Sequence, residues 1–222
     1  MSTPPEPSKL TRTKQRWAEE GRFLGKSDRS GRAVRAGAER LPPGQHVVRD
    51  WPVLDLGVQP AVPLDRWELR VFGVVAEQVT WDWAGFQALP QRRETTDIHC
   101  VTTWSRYDNQ WEGVATRDLL AVVQPKPEAR FVVLHSHDGY TTNLPLEDFA
   151  AEDAILAHSW QGAPLPVAHG GPMRLIVPHL YLWKSAKWLH RIEVLAGDRP
   201  GYWEERGYHD RGDPWTEQRY SE

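Results

Sequence analysis

From Val47 onwards, apolar side chains occur in short runs that predict strands rather than long helices. The segment Trp67–Phe72 alternates apolar and polar residues, which is typical of a strand with one buried face. Arg130–Leu134 and Arg174–Val177 are short apolar runs that suit buried strands. In a last strand, over 188–195, a period of two predicts one shared face for Trp188, His190, Ile192 and Val194.

Two helices are predicted between these strands. Thr116–Val123 begins with Thr116 as a plausible N-cap, and Leu146–Ala150 follows Pro145. Eighteen prolines and seventeen glycines keep every element short. The pattern therefore predicts an α+β fold, mainly β, with small helices and one domain over residues 46–222.

The two ends of the chain differ from this core in composition. Residues 1–45 are rich in Pro, Ser, Gly and Arg and show no apolar period, which predicts a flexible N-terminal arm. The arm is basic, with ten Lys/Arg against five acids, which leaves 17 basic and 25 acidic residues in the remainder. Residues after Gly197 form an irregular segment with aromatic and charged side chains.

The net charge and composition of the chain argue against several classes of protein. A net charge of −3 argues against a nucleic-acid-coating protein, and no run of about 20 apolar residues predicts membrane insertion. The first residues are polar and contain no export signal, so we expect a cytoplasmic location. The single cysteine cannot form an internal disulfide, and the twelve tryptophans suit either core packing or a large planar ligand.

That cysteine, Cys100, lies in the β-branched stretch Thr96–Ser105, at a strand or a strand end. It could be a small buried hydrophobe. Zinc is disfavoured because there is no CxxC and because His99 would point to the opposite face, while a nucleophile paired with a distant histidine stays open. A soft, redox-active metal is a further alternative, since thiolate binds such metals. A pterin dithiolene already supplies two sulfurs to the metal, so the protein must add only one.

A second group of residues is suited to a phosphate. His169–Pro178 contains a Gly-Gly-Pro turn that lets a ligand approach the backbone, and Tyr181–Trp188 supplies hydroxyl and basic side chains. An ordinary turn followed by surface lysines is the alternative for either half. The two segments in this order favour a binding site.

Several segments, taken together and in their order along the chain, resemble the sulfite oxidase superfamily, and in particular its heme-free bacterial branch. The similarity covers roughly residues 45–196. The matching segments are Val48–Val53, Trp67–Gly73, His99–Ser105, Trp111–Val114, Gly162–Pro166, His169–Pro178 and Tyr181–Trp188. The resemblance implies the sulfite oxidase fold and a molybdenum–molybdopterin cofactor.

The resemblance also implies roles for individual residues. Cys100 would bind the molybdenum, and Arg49 would lie near the metal and polarise the substrate. His169 and Arg174 would contact the pterin, and Ser185 with Lys187, together with the Ala186 backbone, would bind its phosphate end. The residues implied in cofactor binding are Arg49, Asp50, Trp51, Ser136, His169, Arg174, Ser185, Ala186 and Lys187.

We therefore expect an oxidoreductase that carries out two-electron oxygen-atom transfer on a small molecule, reducing S-oxides or N-oxides. Oxidation of the sulfite type, a non-catalytic molybdopterin carrier and a cofactor-free β-rich binding module are the alternatives. No segment binds heme, flavin or an iron–sulfur cluster, so a separate electron donor or acceptor protein is expected.

Overall fold

The computed structural model describes residues 40–221, so the predicted arm lies outside the described residues up to position 39. Within the described part the strands are β1 (His46–Val47), β2 (Glu68–Gly73), β3 (Val79–Asp82), β4 (Gln91–His99), β5 (Trp104–Ala115), β6 (Phe131–Ser136), β7 (Thr141–Pro145), β8 (Ile155–Trp160), β9 (Ala163–Pro164), β10 (Arg174–Ile176) and β11 (Leu189–Leu195). The helices are α1 (Trp83–Gln87), α2 (Thr116–Val123) and α3 (Leu146–Phe149). Short 3-10 turns cover Val167–His169, Leu182–Lys184 and Glu204–Arg206. The fold is mainly β, as the sequence predicts.

The strands form two sheets. One has the order β1-β5-β8-β10, with β4 also paired to β5 and β9 to β8. The other has the order β3-β2-β11-β6-β7, in which β11 runs parallel to β2 and antiparallel to β6. Since β11 follows the Tyr181–Trp188 segment directly, this central strand carries that segment to the junction between the sheets.

Two connections join the sheets at this junction. The Leu175 N–H of β10 donates to the Ala186 carbonyl at 2.9 Å, and an isolated parallel bridge links His99 to Tyr181. In the second sheet Leu189 pairs with Ser136. Backbone hydrogen bonding therefore brings the ends of β4 and β6 close to the segment that precedes β11.

The shared face predicted around Trp188 is wrong in part. Ile192 and Val194 are fully buried, but His190 is only partly buried and Trp188 precedes the strand with φ 48°. The pairing of β11 with β6 shifts register between Leu189 and Arg191. An irregularity of this kind adds a residue to one strand, which reverses the alternation on either side of it.

The predicted cap of α2 is also corrected. The N-cap is Ala115, and Thr116 is the first helical residue. The Thr116 hydroxyl donates instead to the Phe149 carbonyl at the end of α3. A buried hydroxyl needs a partner, and here the contact between two helices satisfies it.

Apolar side chains of both sheets and of the helices form the main core, which includes Trp67, Phe86, Leu134 and Ile192. A second cluster surrounds Cys100 with Trp51, Trp104 and Trp111, and a third joins Tyr181, Trp183 and Tyr208. None of the helices between residues 40 and 221 has the length and apolar character needed to cross a membrane.

Gly113 allows β5 and β8 to approach closely. A Cβ at this position would overlap the Leu156 carbonyl and come within 2.9 Å of Ala157 Cα. We expect Gly113→Ala to lower the free energy of unfolding by about 1–3 kcal/mol, because paired backbone cannot move aside cheaply. Urea denaturation measures the change, and Gly197→Ala is the control because a Cβ there meets no atom within 4 Å. Equal stability of the two variants would contradict the tight pairing.

Candidate functional site

A cavity of about 140 Å³ lies where the second and third clusters meet. Five of the twelve tryptophans contribute to its wall: Trp51, Trp104, Trp183, Trp188 and Trp203. The predicted site residues that line it are Trp51, Cys100, Ser136, His169, Arg174, Ser185 and Lys187. Side chains far apart in sequence therefore share one concave, largely aromatic site.

Cys100 lies in the tight turn between β4 and β5. Its N–H donates to the Trp104 carbonyl at 2.8 Å, and its carbonyl accepts the Thr103 N–H at 3.0 Å. The residue Cys100 is 5% exposed, and its sulfur lies 3.2 Å from the Thr102 hydroxyl oxygen. His99, which precedes it, contacts Ser105 and is not part of the cavity wall, as expected for the opposite face of a strand.

His169 stacks on Trp51, with ring centroids 3.9 Å apart and planes within 5°. Burial, together with the positive charges of Arg174, Lys187 and Arg106, lowers the pKa of His169 to about 4. The imidazole is therefore neutral at pH 7. A neutral ring on the cavity wall can accept or donate a hydrogen bond to a polar ligand.

Arg174 is a buried cation, 2% exposed. Its guanidinium donates to the carbonyls of Leu175, His169 and Ser185, the last at 2.7 Å. Burial lowers its pKa to about 9. No carboxylate of residues 40–221 lies within 4.0 Å of it, so backbone carbonyls and the face of the Trp51 ring, 5.3 Å from the guanidinium carbon, offset its charge.

Lys187 is a second cation at the cavity and is partly buried. Its Nζ donates to the Ala168 carbonyl at 3.1 Å and lies 4.2 Å from the centre of the Trp188 ring. Burial, and secondarily the charge of Arg174, lowers the pKa of Lys187 to about 7. Among the residues that the structure describes, no carboxylate lies within 4.0 Å of Lys187 Nζ either. Two neighbouring positive groups, Arg174 and Lys187, therefore line the cavity.

Gly170 packs these two side chains together. It has φ +109°, and a Cβ there would lie 2.9 Å from Lys187 Cβ and 3.1 Å from Arg174 Cβ. A left-handed conformation and the lack of space both require glycine. The glycine pair recognised in the sequence thus brings the two cations close and does not itself line the cavity.

The hydroxyl residues differ in how they are satisfied. The Ser185 hydroxyl accepts the Val177 N–H at 2.9 Å, so it is engaged in the fold. Ser136 is 4% exposed, and its buried Oγ has no hydrogen-bond partner within the described chain. An unsatisfied buried hydroxyl on a cavity wall is a ready contact for a ligand. Ala186 lies in the main core behind the wall.

The structure does not bring Arg49 and Asp50 to the cavity. Both are exposed, and Arg49 contributes only its carbonyl, which accepts Arg106 Nε at 3.0 Å. Arg106 in turn lies 4.8 Å from the centre of the Trp160 ring. Of the three predicted residues Arg49, Asp50 and Trp51, only Trp51 lines the cavity.

Other residues of the wall were not predicted. Thr102, Asp138, Trp183 and Tyr208 line the cavity. Burial raises the pKa of Asp138, whose carboxylate accepts the Tyr140 N–H. Tyr208 comes from the irregular segment after Gly197, and only its aromatic composition gave a signal for a role in the site.

Lys184, in the same segment as Lys187, has a different function. Its Nζ lies 2.6 Å from Glu204 Oε1 and 2.9 Å from both oxygens of Asn143, and both charged side chains are fully buried. This pair ties the 3-10 turn Glu204–Arg206 to the second sheet. Lys184 therefore serves the fold, and Lys187 is the lysine directed at the cavity.

The residues present fit a ligand that carries both an anionic group and a metal. A buried and a partly buried cation could bind a negative charge, an unsatisfied serine hydroxyl lies on the same wall, and the Cys100 thiolate is of the soft ligand type. Aromatic rings provide flat apolar surface for a planar group.

Comparisons with known proteins agree with this fit. The sequence model of the family described as "Oxidoreductase molybdopterin binding domain" matches residues 56–203. An uncharacterized oxidoreductase of Bacillus subtilis, YuiH, is 45% identical over 196 residues, which cover 88% of this chain and 95% of that protein.

More distant relatives carry functional names. A protein-methionine-sulfoxide reductase catalytic subunit, MsrP, of Gluconobacter oxydans is 28% identical over 155 residues, or 62% of this chain and 49% of that protein. The chain thus spans about half the length of that relative. The sulfane dehydrogenase SoxCD of Paracoccus pantotrophus shares the fold, with a TM-score of 0.58 at 19% identity over 87% of this chain and 60% of that one.

The partly buried Lys187 predicts a pH-dependent cost to stability. Its pKa falls from an ordinary 10.5 to about 7 on folding, so between pH 7 and 10.5 the unfolded chain binds more protons and stability rises with pH. Below pH 7 the cost acts in full. We expect Lys187→Met to stabilise ligand-free protein at pH 6 by on the order of 1 kcal/mol, with a smaller gain near pH 10.

Denaturant titration of protein refolded without ligand measures this gain. Lys126→Met, at an exposed lysine, is the control and should change stability by less than about 0.5 kcal/mol. A Lys187 variant that is no more stable than the control at pH 6 would show that the buried charge has little cost.

Proposed function

Because the chain belongs to the oxidoreductase molybdopterin-binding family, we propose that its cavity holds a molybdenum–molybdopterin cofactor with Cys100 as metal ligand. We further propose that it reduces S-oxides or N-oxides. The observation that carries the proposal is the convergence of the only cysteine with Arg174 and Lys187 on one cavity.

The two cations and Ser136 would hold the cofactor's phosphate and pterin. Lys187 and Ser136 line the cavity, and a phosphate there would pair with charge that has no carboxylate within 4.0 Å among residues 40–221. The neutral His169 on Trp51 would hydrogen-bond the pterin beside a flat aromatic surface. Ser185 and Ala186 would act through the backbone that orients Arg174.

Cys100 would supply one soft ligand from a turn that the backbone holds on both sides. When bound, the cofactor supplies two-electron oxygen-atom transfer. The chain's own contribution is to orient the thiolate, to keep it 5% exposed and to restrict water with the aromatic wall.

The wall near Cys100 supports a neutral substrate. Trp51, Trp104 and Tyr208 are aromatic and Thr102 is uncharged. Holding a dianion such as sulfite calls for several converging cations, because an unpaired charge moved out of water is costly. The relatives named as methionine sulfoxide reductase subunits support the same class of substrate. Arg49 remains a predicted substrate-polarising group, which requires its exposed side chain to fold inward.

Sulfite-type oxidation is the alternative reaction, and a non-catalytic molybdopterin carrier is the alternative role. The proposal also includes a cytoplasmic location and a separate electron-transfer protein. The word subunit in the names of several relatives supports the latter, since those proteins act with others.

We expect Cys100→Ser to abolish reductase activity while leaving the fold intact. Serine is a harder donor and is not ionised at pH 7, so the metal would lose its only protein sulfur. Activity with a dye donor, molybdenum content and circular dichroism would be measured together. Thr95→Ala, at an exposed side chain on the preceding strand β4, is the control and should keep full activity. Wild-type turnover by the serine variant would exclude Cys100 as the ligand.

The substrate class is tested with one preparation and two assays. Sulfoxides and N-oxides are offered with a reduced dye, and sulfite with an oxidised dye. We expect kcat/KM for at least one neutral oxide to exceed that for sulfite by about tenfold or more, the effect of one missing charged hydrogen bond. A higher kcat/KM for sulfite than for every oxide would favour the alternative reaction.

A further inference from the structure

The turn that presents Cys100 is held from outside the family-matched region. We propose that Arg219 is a positioning residue: by binding the Val101 carbonyl it fixes the Cys100–Trp104 turn and makes the C-terminal segment 207–220 part of the site. Its catalytic consequence rests on the proposed function, in which Cys100 binds the metal.

The turn itself needs external support. Thr103 has φ 75°, a conformation that a β-branched residue adopts at a cost. Such a conformation persists when surrounding contacts determine it. Within the turn, two backbone hydrogen bonds join Cys100 to Thr103 and to Trp104.

Each of the carbonyls at the apex of the turn has a donor. Cys100 O accepts Gln45 Nε2 at 3.2 Å in addition to Thr103 N–H, and Thr102 O accepts the Thr103 hydroxyl. Val101 O accepts Nη1 of Arg219 at 2.5 Å, across 118 positions of sequence. The donor is the positively charged Arg219 guanidinium, and hydrogen bonds from ionised donors are stronger than those between neutral groups.

Arg219 is itself held in place. Its guanidinium carbon lies 5.0 Å from the centre of the Tyr181 ring, and Tyr181 is fully buried. The Tyr181 N–H donates to the Gly212 carbonyl at 2.8 Å, and Tyr208 pairs with Tyr220 on either side of the segment. No carboxylate of residues 40–221 lies within 4.0 Å of the guanidinium, so the Val101 carbonyl and the Tyr181 face are its partners.

The same segment reaches the cavity. Tyr208 lines it, and its ring lies 5.1 Å from that of Trp183, another residue of the wall. The family match ends at residue 203, before Tyr208 and Arg219. The contact of Arg219 with Val101, here called the clamp, therefore lies in the segment after the family match, and this segment contributes both to the wall and to the position of Cys100.

Hydrogen exchange tests the clamp on the full-length protein as purified. In Arg219→Gln, we expect the amides of a peptide covering 98–104 to exchange about tenfold faster or more, because a charge-assisted hydrogen bond is lost. Arg219→Lys keeps the charge and should restore part of the protection. The matched control is Arg206→Gln, because Arg206 also lies over a tyrosine ring and donates to a carbonyl, both of Tyr202, away from the turn.

Peptides from β6 and β11 report on the whole fold. If the β6 and β11 peptides also exchange faster in Arg219→Gln, Arg219→Lys distinguishes the clamp from a loss of the whole fold. In the lysine variant only the turn should exchange faster than in the wild type, and by less than in Arg219→Gln. Unchanged exchange of the turn in both Arg219 variants would overturn the proposal, and so would equal loosening in the Arg206 control.

A second readout uses the loaded enzyme. We expect Arg219→Gln to lower kcat with KM nearly unchanged and to shift the visible absorption of the metal–thiolate, with both restored in part by lysine. Absence of molybdenum from the wild type would contradict the proposed function but leave the exchange result standing. Normal molybdenum with unchanged exchange would contradict only the role of Arg219.

Discussion

Two neighbouring positive charges, on the buried Arg174 and the partly buried Lys187, impose the main constraint on this structure, because neither has a carboxylate within 4.0 Å among the described residues. A charge removed from water is costly unless it is paired, so a negative group bound in the cavity would offset a cost that the described chain offsets only in part. Gly170 allows the two side chains to lie together, and three backbone carbonyls fix the guanidinium. Lys184 differs from Lys187 because it is fully buried and paired with Glu204, whereas Lys187 lines the cavity.

The two sheets meet so that each supplies one part of the site. The turn between β4 and β5 in one sheet presents Cys100, while β6 and β11 in the other place Ser136 beside the segment that carries Lys187. The hydrogen bond from Leu175 to Ala186 and the bridge from His99 to Tyr181 lock the sheets together at this point. Strand pairing therefore brings the turn that carries Cys100 and the segment that carries Lys187 to the same place, and sites built on paired strands are more precise than sites on free loops.

The aromatic wall explains much of the unusual tryptophan content. Five tryptophans line the cavity, whereas others such as Trp67 and Trp111 pack the cores. The tryptophans of the described chain therefore divide between the cavity wall and the cores. The segment after Gly197, which the sequence describes only as irregular, adds Tyr208 to the wall and Arg219 to the cysteine turn.

The sequence by itself determined the strands over Trp67–Phe72 and Arg130–Leu134, the mainly β class and the ordered motifs that carry the family. Local periodicity and glycine, proline and cysteine chemistry act over a few residues, so they can be read directly. Only the tertiary structure decided that His190 leaves the buried face, that Arg49 lies outside the cavity and that Arg219 reaches Val101. Register shifts, side-chain direction and contacts across 118 positions depend on how distant strands pair, and no local pattern specifies that pairing.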